Sequence, residues 1–390
     1  MKICYYVSVF ERELKELEEK HLLRSLISRS SPQGPVITIN KKKYINFSSN
    51  DYLGLAGNPE ILRAVQVALK RHAFGSGASR LLAGGSMLHK KLEERIAGFK
   101  GTETALIFNS GYSANTGVIP SITSERDMIF SDELNHASII DGCRLSRAGT
   151  LVYRHRDTAH LQTLLRKTRA RRKVVITDTV FSMDGDLAPI KDIHELCRRH
   201  KALFYLDDAH GTGVLGRGRG ALVHFGITPE AWVIQMGTFS KAFGAFGAFV
   251  AGSADIIQWI ANTARSFLFS TALPSCVIAA ASAGLRLVER NPSLLRRLWA
   301  NRERLFEGLK SIGYHDPFSM SPIITVRTAR ISGALRLSQY LFERGIYVPA
   351  IRPPAVSNPR LRITITAAHT EKHVDALLSA LKKADLSLLY

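Results

Sequence analysis

From about residue 60 to residue 252 the chain alternates two patterns. Helical periodicities such as "SMLHKKLEERIAGFKG" lie between short apolar runs: "ALIF", "DMIF", "LVYR", "KVVITD", "ALFYLDD", "WVIQM" and "GAFVAG". Few architectures accommodate that alternation. It predicts an α/β fold, a doubly wound, mostly parallel sheet with helices on both faces. In such sheets ligands sit beyond the carboxyl ends of the strands. Upstream, residues 11–30 read as an amphipathic helix, followed by the turn "SPQGP" and the strand-like "VITIN" and "YINFSS". Downstream of a helical stretch over 274–312, "PIITV", "GIYVPAI" and "LRITIT" predict a smaller α+β unit. The expected division is an N-terminal arm over 1–45, a large domain over 46–285 and a small domain over 286–390.

With 390 residues, 45% apolar and 22% charged, the chain has material for a large core and an ordinary globular surface. No window approaches about 18 uncharged apolar residues, so no membrane span is expected. The start reaches Glu11 without a small-residue cleavage site, which makes the cytoplasm the expected location. Cys4, Cys143, Cys197 and Cys276 lie far apart and form no C-x-x-C pair, so neither zinc nor redox work is expected of them. Lys and Arg outnumber Asp and Glu, 53 to 33, for a net charge of +20, densest in "RKTRARRK" (166–173). That excess suits nucleic acid or a phosphorylated or acidic substrate carrier, but no nucleic-acid-binding motif surrounds the cluster and a solvated basic face is the better reading.

Several tempting motifs fail. "GTGVLG" (211–216) matches a dinucleotide fingerprint, yet "DDAH" separates it from its strand, and the next strand-like run, "WVIQM", ends without a ribose-binding acid. In "HELCRRH" the six-residue spacing turns His200 roughly 240° away from His194 on a helix, so the two cannot share a metal. "TFSK" lacks the leading serine and the K-T-G of acylating serine enzymes, and neither G-x-S-x-G nor G-x-x-x-x-G-K-[ST] occurs.

One constellation survives. In "FYLDDAHGTG" (204–213) an apolar strand runs straight into two carboxylates and a histidine, and after the next strand-like run "GTFSKAFG" (237–244) places Lys241. Burial at a strand end favours a neutral, nucleophilic amine, although on that segment alone a snorkelling structural lysine is an equal reading. Together the pieces meet what pyridoxal phosphate needs: a lysine for the Schiff base, a carboxylate for the pyridine nitrogen, and hydroxyls or N–H groups for the phosphate. Lys241, Asp207 and Thr238 supply these, "NSGYSANTG" (109–117) adds the N–H groups of Gly111 and Tyr112 at a helix N-terminus, and His136 in "NHAS" can stack on the ring.

The ordered set "SNDYLGL", "GSGASRLLAGGS", "NHASIIDG", "VFSMDGD", "DDAHGTGVLG", "GTFSKAFG" and "RLRITITAAHT" resembles the α-oxoamine synthases, pyridoxal phosphate enzymes of the aspartate aminotransferase fold, over about residues 20–385. The resemblance implies a large domain with a mostly parallel seven-stranded sheet, a smaller C-terminal α+β domain and a homodimer with shared active sites. It makes Lys241 the Schiff-base lysine, Asp207 the partner of the ring nitrogen and His136 the stacking residue. Ser182 and His210 would lie near the ring hydroxyl, Gly111, Tyr112 and Thr238 around the phosphate, and Ser270 and Thr271 would reach the phosphate of a neighbouring subunit. Arg362 would pair with the amino-acid carboxylate, and Arg24 would bind substrate. "AIRPP" followed by "RLRITITAAH" most resembles the biotin-pathway branch, which implies decarboxylative condensation of L-alanine with pimeloyl-CoA or a pimeloyl-acyl carrier protein. Branches using glycine or serine, such as glycine C-acetyltransferase, share the mechanism. A basic nucleic-acid-binding protein on a degenerate scaffold is the rival of another class. One departure stands out: "PPAVSNP" replaces the family's usual "PPTVP.G", leaving Ala355 where a threonine hydroxyl is common.

Overall fold

The computed structural model describes residues 2–314 and 318–384; residue 1 and the last six residues of the expected small domain lie outside the described residues. The chain opens with a helix over Lys2–Glu19, earlier than the expected 11–30, because the periodicity runs back through Phe10 and Val7. It stops where His21 takes a left-handed φ of 55°. A hairpin follows, β1 (Val36–Ile39) and β2 (Lys42–Asn46).

The centre is a seven-stranded sheet of β3 (Thr104–Phe108), β4 (Met128–Asp132), β5 (Gly149–Tyr153), β6 (Lys173–Asp178), β7 (Leu203–Asp207), β8 (Val233–Thr238) and β9 (Ala248–Gly252). Their spatial order is β3-β9-β8-β7-β6-β4-β5. Pairs from β5 across to β8 are parallel, whereas β9 runs antiparallel to both β8 and β3. The physical reason is length: only residues 239–247 join β8 to β9, too few for the crossover that a parallel pair requires. Every residue of β8 and β9 is buried, as a strand covered on both faces must be.

The helical stretch after 274 is two helices, Ser275–Arg290 and Pro292–Ser311, interrupted at Asn291 before a proline that serves as the first residue of the second helix. Beyond them β10 (Ile323–Arg327), β11 (Ile346–Tyr347), β12 (Ala350–Ile351) and β13 (Arg360–Thr364) complete two small sheets. β13 sits between β10 and β12, antiparallel to both, while β11 pairs in parallel with β2 and so ties the N-terminal hairpin to the C-terminal part of the chain. A continuous apolar cluster, from Phe47 and Tyr52 through Phe239 and Phe243 to Ile363 and Leu381, fuses these parts. Among the described residues no helix is long and apolar enough to cross a membrane.

Candidate active site

The parallel strands β4, β6, β7 and β8 end at one rim of the sheet, and there a cavity of about 210 Å³ is lined by Gly111, Tyr112, Asn115, His136, Asp178, Asp207, His210, Thr238 and Lys241, among others. Period-two geometry sorts the two carboxylates of β7 and its exit. Asp207 faces the cavity, while Asp208 turns the other way to meet Lys100 Nζ at 2.8 Å, with both side chains fully buried. Asp208 also accepts from the Thr212 hydroxyl at 2.8 Å, so it is a structural acid.

Asp207 is 3% exposed, and each of its oxygens accepts one bond: Oδ2 from Asn115 Nδ2 at 2.8 Å and Oδ1 from the Ala209 N–H at 3.0 Å. Burial pushes its carboxyl up, against the opposing pull of Lys241 and Asn115. Beside it, Asp178 ends β6 in register with Asp207 across the β6/β7 ladder, and burial together with the Asp207 charge pushes it further up. The Asp178 carboxylate accepts the His136 N–H at 2.7 Å. A third group, Tyr205, gives its hydroxyl to Asn115 Oδ1 at 2.7 Å and fixes which way that amide points.

Lys241 lies in the turn between β8 and β9. The Gly244 N–H closes that turn on the Lys241 carbonyl at 3.0 Å. Gly244 has a φ of +62°, and a Cβ there would stand 2.4 Å from the Leu55 carbonyl carbon, so only glycine fits. Burial lowers the Lys241 ammonium, while Asp207 and Asp178 pull it back up. Thr238 is buried and donates to the Gly247 carbonyl at 2.8 Å.

His136 caps the helix Ala137–Leu145, and its Nδ1 accepts from the Ser138 N–H at 3.2 Å and meets the Ser138 hydroxyl at 2.7 Å. In the neutral ring this leaves the proton on Nε2. Burial, helped by the Lys241 charge and opposed by Asp207, holds the ring below the ordinary histidine value, so the neutral form is favoured. His210, 7% exposed, is held by the Tyr52 hydroxyl at 2.6 Å from Nδ1, and burial drives it far below the ordinary histidine value. Gly111 and Tyr112 open the helix Gly111–Ser121, whose first-turn N–H groups have no intrahelical partner; Ser110 caps the Ser113 N–H alone.

Arg362 on β13 is 5% exposed. Its guanidinium donates to the Ser182 carbonyl at 2.5 Å, Asn50 Oδ1 at 3.1 Å and Thr364 Oγ1 at 2.9 Å, and among the described residues it has no carboxylate partner. Arg360, two residues away on the same face, is paired with Asp184.

Other expected site residues fall elsewhere. Ser182 contributes its carbonyl to Arg362 instead of lining the cavity. Ser270 and Thr271 line a separate cleft with Arg80, His89 and Asn109. Arg24 is exposed and donates to the Pro353 carbonyl at 2.9 Å, while Arg352 donates back to the Leu23 carbonyl at 2.5 Å. Ala355 is exposed in the turn after Pro354. Asn115, Asp178, Tyr52, Asn50 and Ser138 were not anticipated from the sequence. Asn115 was within reach of such reasoning, because it lies four residues after Gly111 on the same helical face.

Residues 42–381 match the aminotransferase class I and II family. The chain is 42% identical to an 8-amino-7-oxononanoate synthase of Thermoanaerobacter pseudethanolicus, over 100% of this chain and 99% of that one. It is 47% identical to another 8-amino-7-oxononanoate synthase, from Anaeromyxobacter dehalogenans, over 95% and 93% of the two chains. Among solved structures it is similar to a serine palmitoyltransferase of S. paucimobilis with PLP bound, with a TM-score of 0.92, 29% identity and 97% of each chain covered.

Proposed function

The chain belongs to the aminotransferase class I and II family, and from that premise we propose that it is a pyridoxal 5′-phosphate-dependent acyltransferase condensing L-alanine with a pimeloyl thioester, with loss of carbon dioxide, to 8-amino-7-oxononanoate. The observation that carries the reading is two buried charges that form no salt bridge among the described residues: Asp207, which lines the cavity and accepts only from Asn115 and the Ala209 N–H, and Arg362, which lacks a carboxylate and whose charge is felt by Lys241 and His210 of that cavity. Charges that deep call for partners. A pyridinium and an amino-acid carboxylate are the partners that fit.

Lys241 would hold the cofactor through its amine, Asp207 through the ring nitrogen, His136 by stacking, and Thr238 with the first-turn N–H groups of Gly111 and Tyr112 through the phosphate. Ser270 and Thr271 would serve the phosphate of a neighbouring subunit in a cytoplasmic homodimer. Bound there, the cofactor supplies an electron-withdrawing ring that takes up the charge left at a substrate α-carbon. The protein's own residues do the rest. Arg362 orients L-alanine through its carboxylate with bidentate geometry. Lys241, its charged form disfavoured by burial, accepts the α-proton at Nζ and later returns it. His136, with its proton on Nε2, donates to the oxygen of the thioester carbonyl as charge develops there. Neutral His210, anchored by Tyr52, adds a polar contact without adding charge. Exposed Ala355 and Arg24 stand at the outer segment, where a long acyl chain or its acidic carrier would pass.

The test is a titration of the purified protein, followed through the visible cofactor band, with L-alanine, glycine and L-serine in parallel, then product mass after adding pimeloyl-CoA or the pimeloyl carrier protein. A band shifted by L-alanine, with 8-amino-7-oxononanoate formed, is the expected result. A band that responds only to glycine or serine overturns the alanine assignment, and the absence of any band after adding pyridoxal 5′-phosphate overturns the enzyme reading altogether.

A further inference from the structure

Two loops present groups assigned to the reaction, one to the cofactor ring and thioester oxygen and one to the amino-acid carboxylate. The first leaves β4 and carries His136; the second, residues 179–187, follows β6 and seats Arg362 on the Ser182 carbonyl. Asp132, the last residue of β4, holds the first loop by accepting the Leu134 N–H at 2.9 Å. Asp186 anchors the second, its carbonyl taking the Phe181 N–H at 3.0 Å. Between these two buried carboxylates stands His155, just past β5. Its Nδ1 meets Asp132 Oδ1 at 2.9 Å and its Nε2 meets Asp186 Oδ2 at 2.8 Å. The Phe181 ring stands edge-on to the imidazole, 4.3 Å between centroids.

An ionised carboxylate can only accept, so a histidine bonded to one through each nitrogen must donate from both. The ring is therefore an imidazolium. Burial works against that charge, but the bonds to Asp132 and Asp186 outweigh it and push the group up to about 9. The charged groups facing it are Asp132 from β4, Asp186 from the second loop, Arg156 at 3.2 Å from the same Asp186 oxygen, and Glu133, which accepts the His155 backbone N–H at 2.9 Å. Arg156 reaches Asp132 only through its backbone N–H, at 3.0 Å, so its guanidinium does not join the two loops.

We propose that His155 is a positioning residue for the amino-acid site, a charged clasp that locks the loop presenting His136 to the loop seating Arg362. The inference rests on the alanine-binding reading above. It assigns His155 no contact with substrate or cofactor.

The experiment compares the wild-type holoenzyme with His155→Gln, measuring the Kd for L-alanine from the cofactor band between pH 7 and pH 10. A misplacement of about 1 Å can cost on the order of 100-fold in the reaction; with Arg362 still present, about a 10-fold weakening of alanine binding is expected at pH 7. The gap should close as the pH passes about 9, where the wild-type ring loses its proton. A gap that is absent, or constant across the range, overturns the clasp. A wild type that never responds to L-alanine overturns the proposed reaction instead, so the two failures are distinguishable. Asp186→Asn provides the second arm: it should weaken alanine binding at pH 7 and move the alkaline loss to lower pH, and an unchanged profile counts against the proposal. The cofactor-free protein gives an independent readout. A raised folded-state value means that the contribution to stability is complete below the ordinary histidine range and is lost as pH rises through about 9. The wild-type unfolding midpoint should fall there, and the His155→Gln midpoint should not follow it.

Discussion

Replacing Arg362 with methionine separates binding from folding. The guanidinium donates to Ser182, Asn50 and Thr364, lies against the Tyr52 hydroxyl, and has no ion pair among the described residues. Removing an uncompensated buried charge relieves a desolvation cost of several kcal/mol. Against that, the Ser182 carbonyl and the Asn50 amide oxygen lose their donor at about 1–3 kcal/mol each, while Thr364 can turn its hydroxyl elsewhere. The two effects oppose each other, so the unfolding free energy of the cofactor-free variant should move by no more than about 2 kcal/mol. Binding has no such offset. Truncating one member of a buried, hydrogen-bonded charge pair costs about 2–5 kcal/mol, which is roughly 30-fold to 5000-fold in Kd for L-alanine. The assay is a titration of the cofactor band with L-alanine and, beside it, with ethylamine, an amine without a carboxylate. Alanine binding should collapse in Arg362→Met and ethylamine binding should not. If alanine weakens less than threefold, or ethylamine weakens equally, Arg362 is not the carboxylate site and the argument from its unpaired charge is refuted.

Lys100→Met strands Asp208 in a site where both side chains are fully buried, and should lower the unfolding free energy by about 3–5 kcal/mol; Lys100→Met combined with Asp208→Leu should recover most of it in a denaturant titration. Burial works against the charge of Asp127, but hydrogen bonds from Arg171, Arg172 and Ser124 outweigh it and hold the carboxyl well below its usual range. Its contribution is therefore present above the ordinary aspartate value and lost as pH falls through the lowered one, so Asp127→Asn should flatten the acid limb of the stability profile. Gly244→Ala forces a left-handed φ on a residue with a Cβ, at about 1–2 kcal/mol before the clash with Leu55 is counted. Because that turn carries Lys241, the fraction of protein retaining the visible cofactor band should fall together with the unfolding midpoint.

What the sequence made legible, and what it hid, divides along a physical line. Asp207 and Lys241 could be found because each closely follows an apolar run, and a parallel sheet delivers such positions to one rim whatever the rest of the chain does. The same rule applied to "KVVITD" points to Asp178, so that residue was readable although unread. The antiparallel course of β9 was also in the sequence, as a connection of nine residues too short to cross over. Tyr52 on His210, and Asn50 with Ser182 around Arg362, join positions 158, 312 and 180 residues apart, and no local pattern announces them. The places of Ser270, Thr271 and Arg24 came from resemblance, and within a single chain the first two line another cleft.

"RLR" makes the division sharpest. Arg360 and Arg362 have the same chemistry, lie on the same face of one strand and are 4% and 5% exposed. One meets Asp184 and is structural; the other meets only neutral acceptors and keeps its charge available. Periodicity cannot distinguish them, because what separates a salt bridge from the proposed binding site is the presence of one aspartate on the loop that follows β6, 176 residues away along the chain. Function in this site is set by which buried charges the fold leaves without a partner, and that is a property of the three-dimensional arrangement alone.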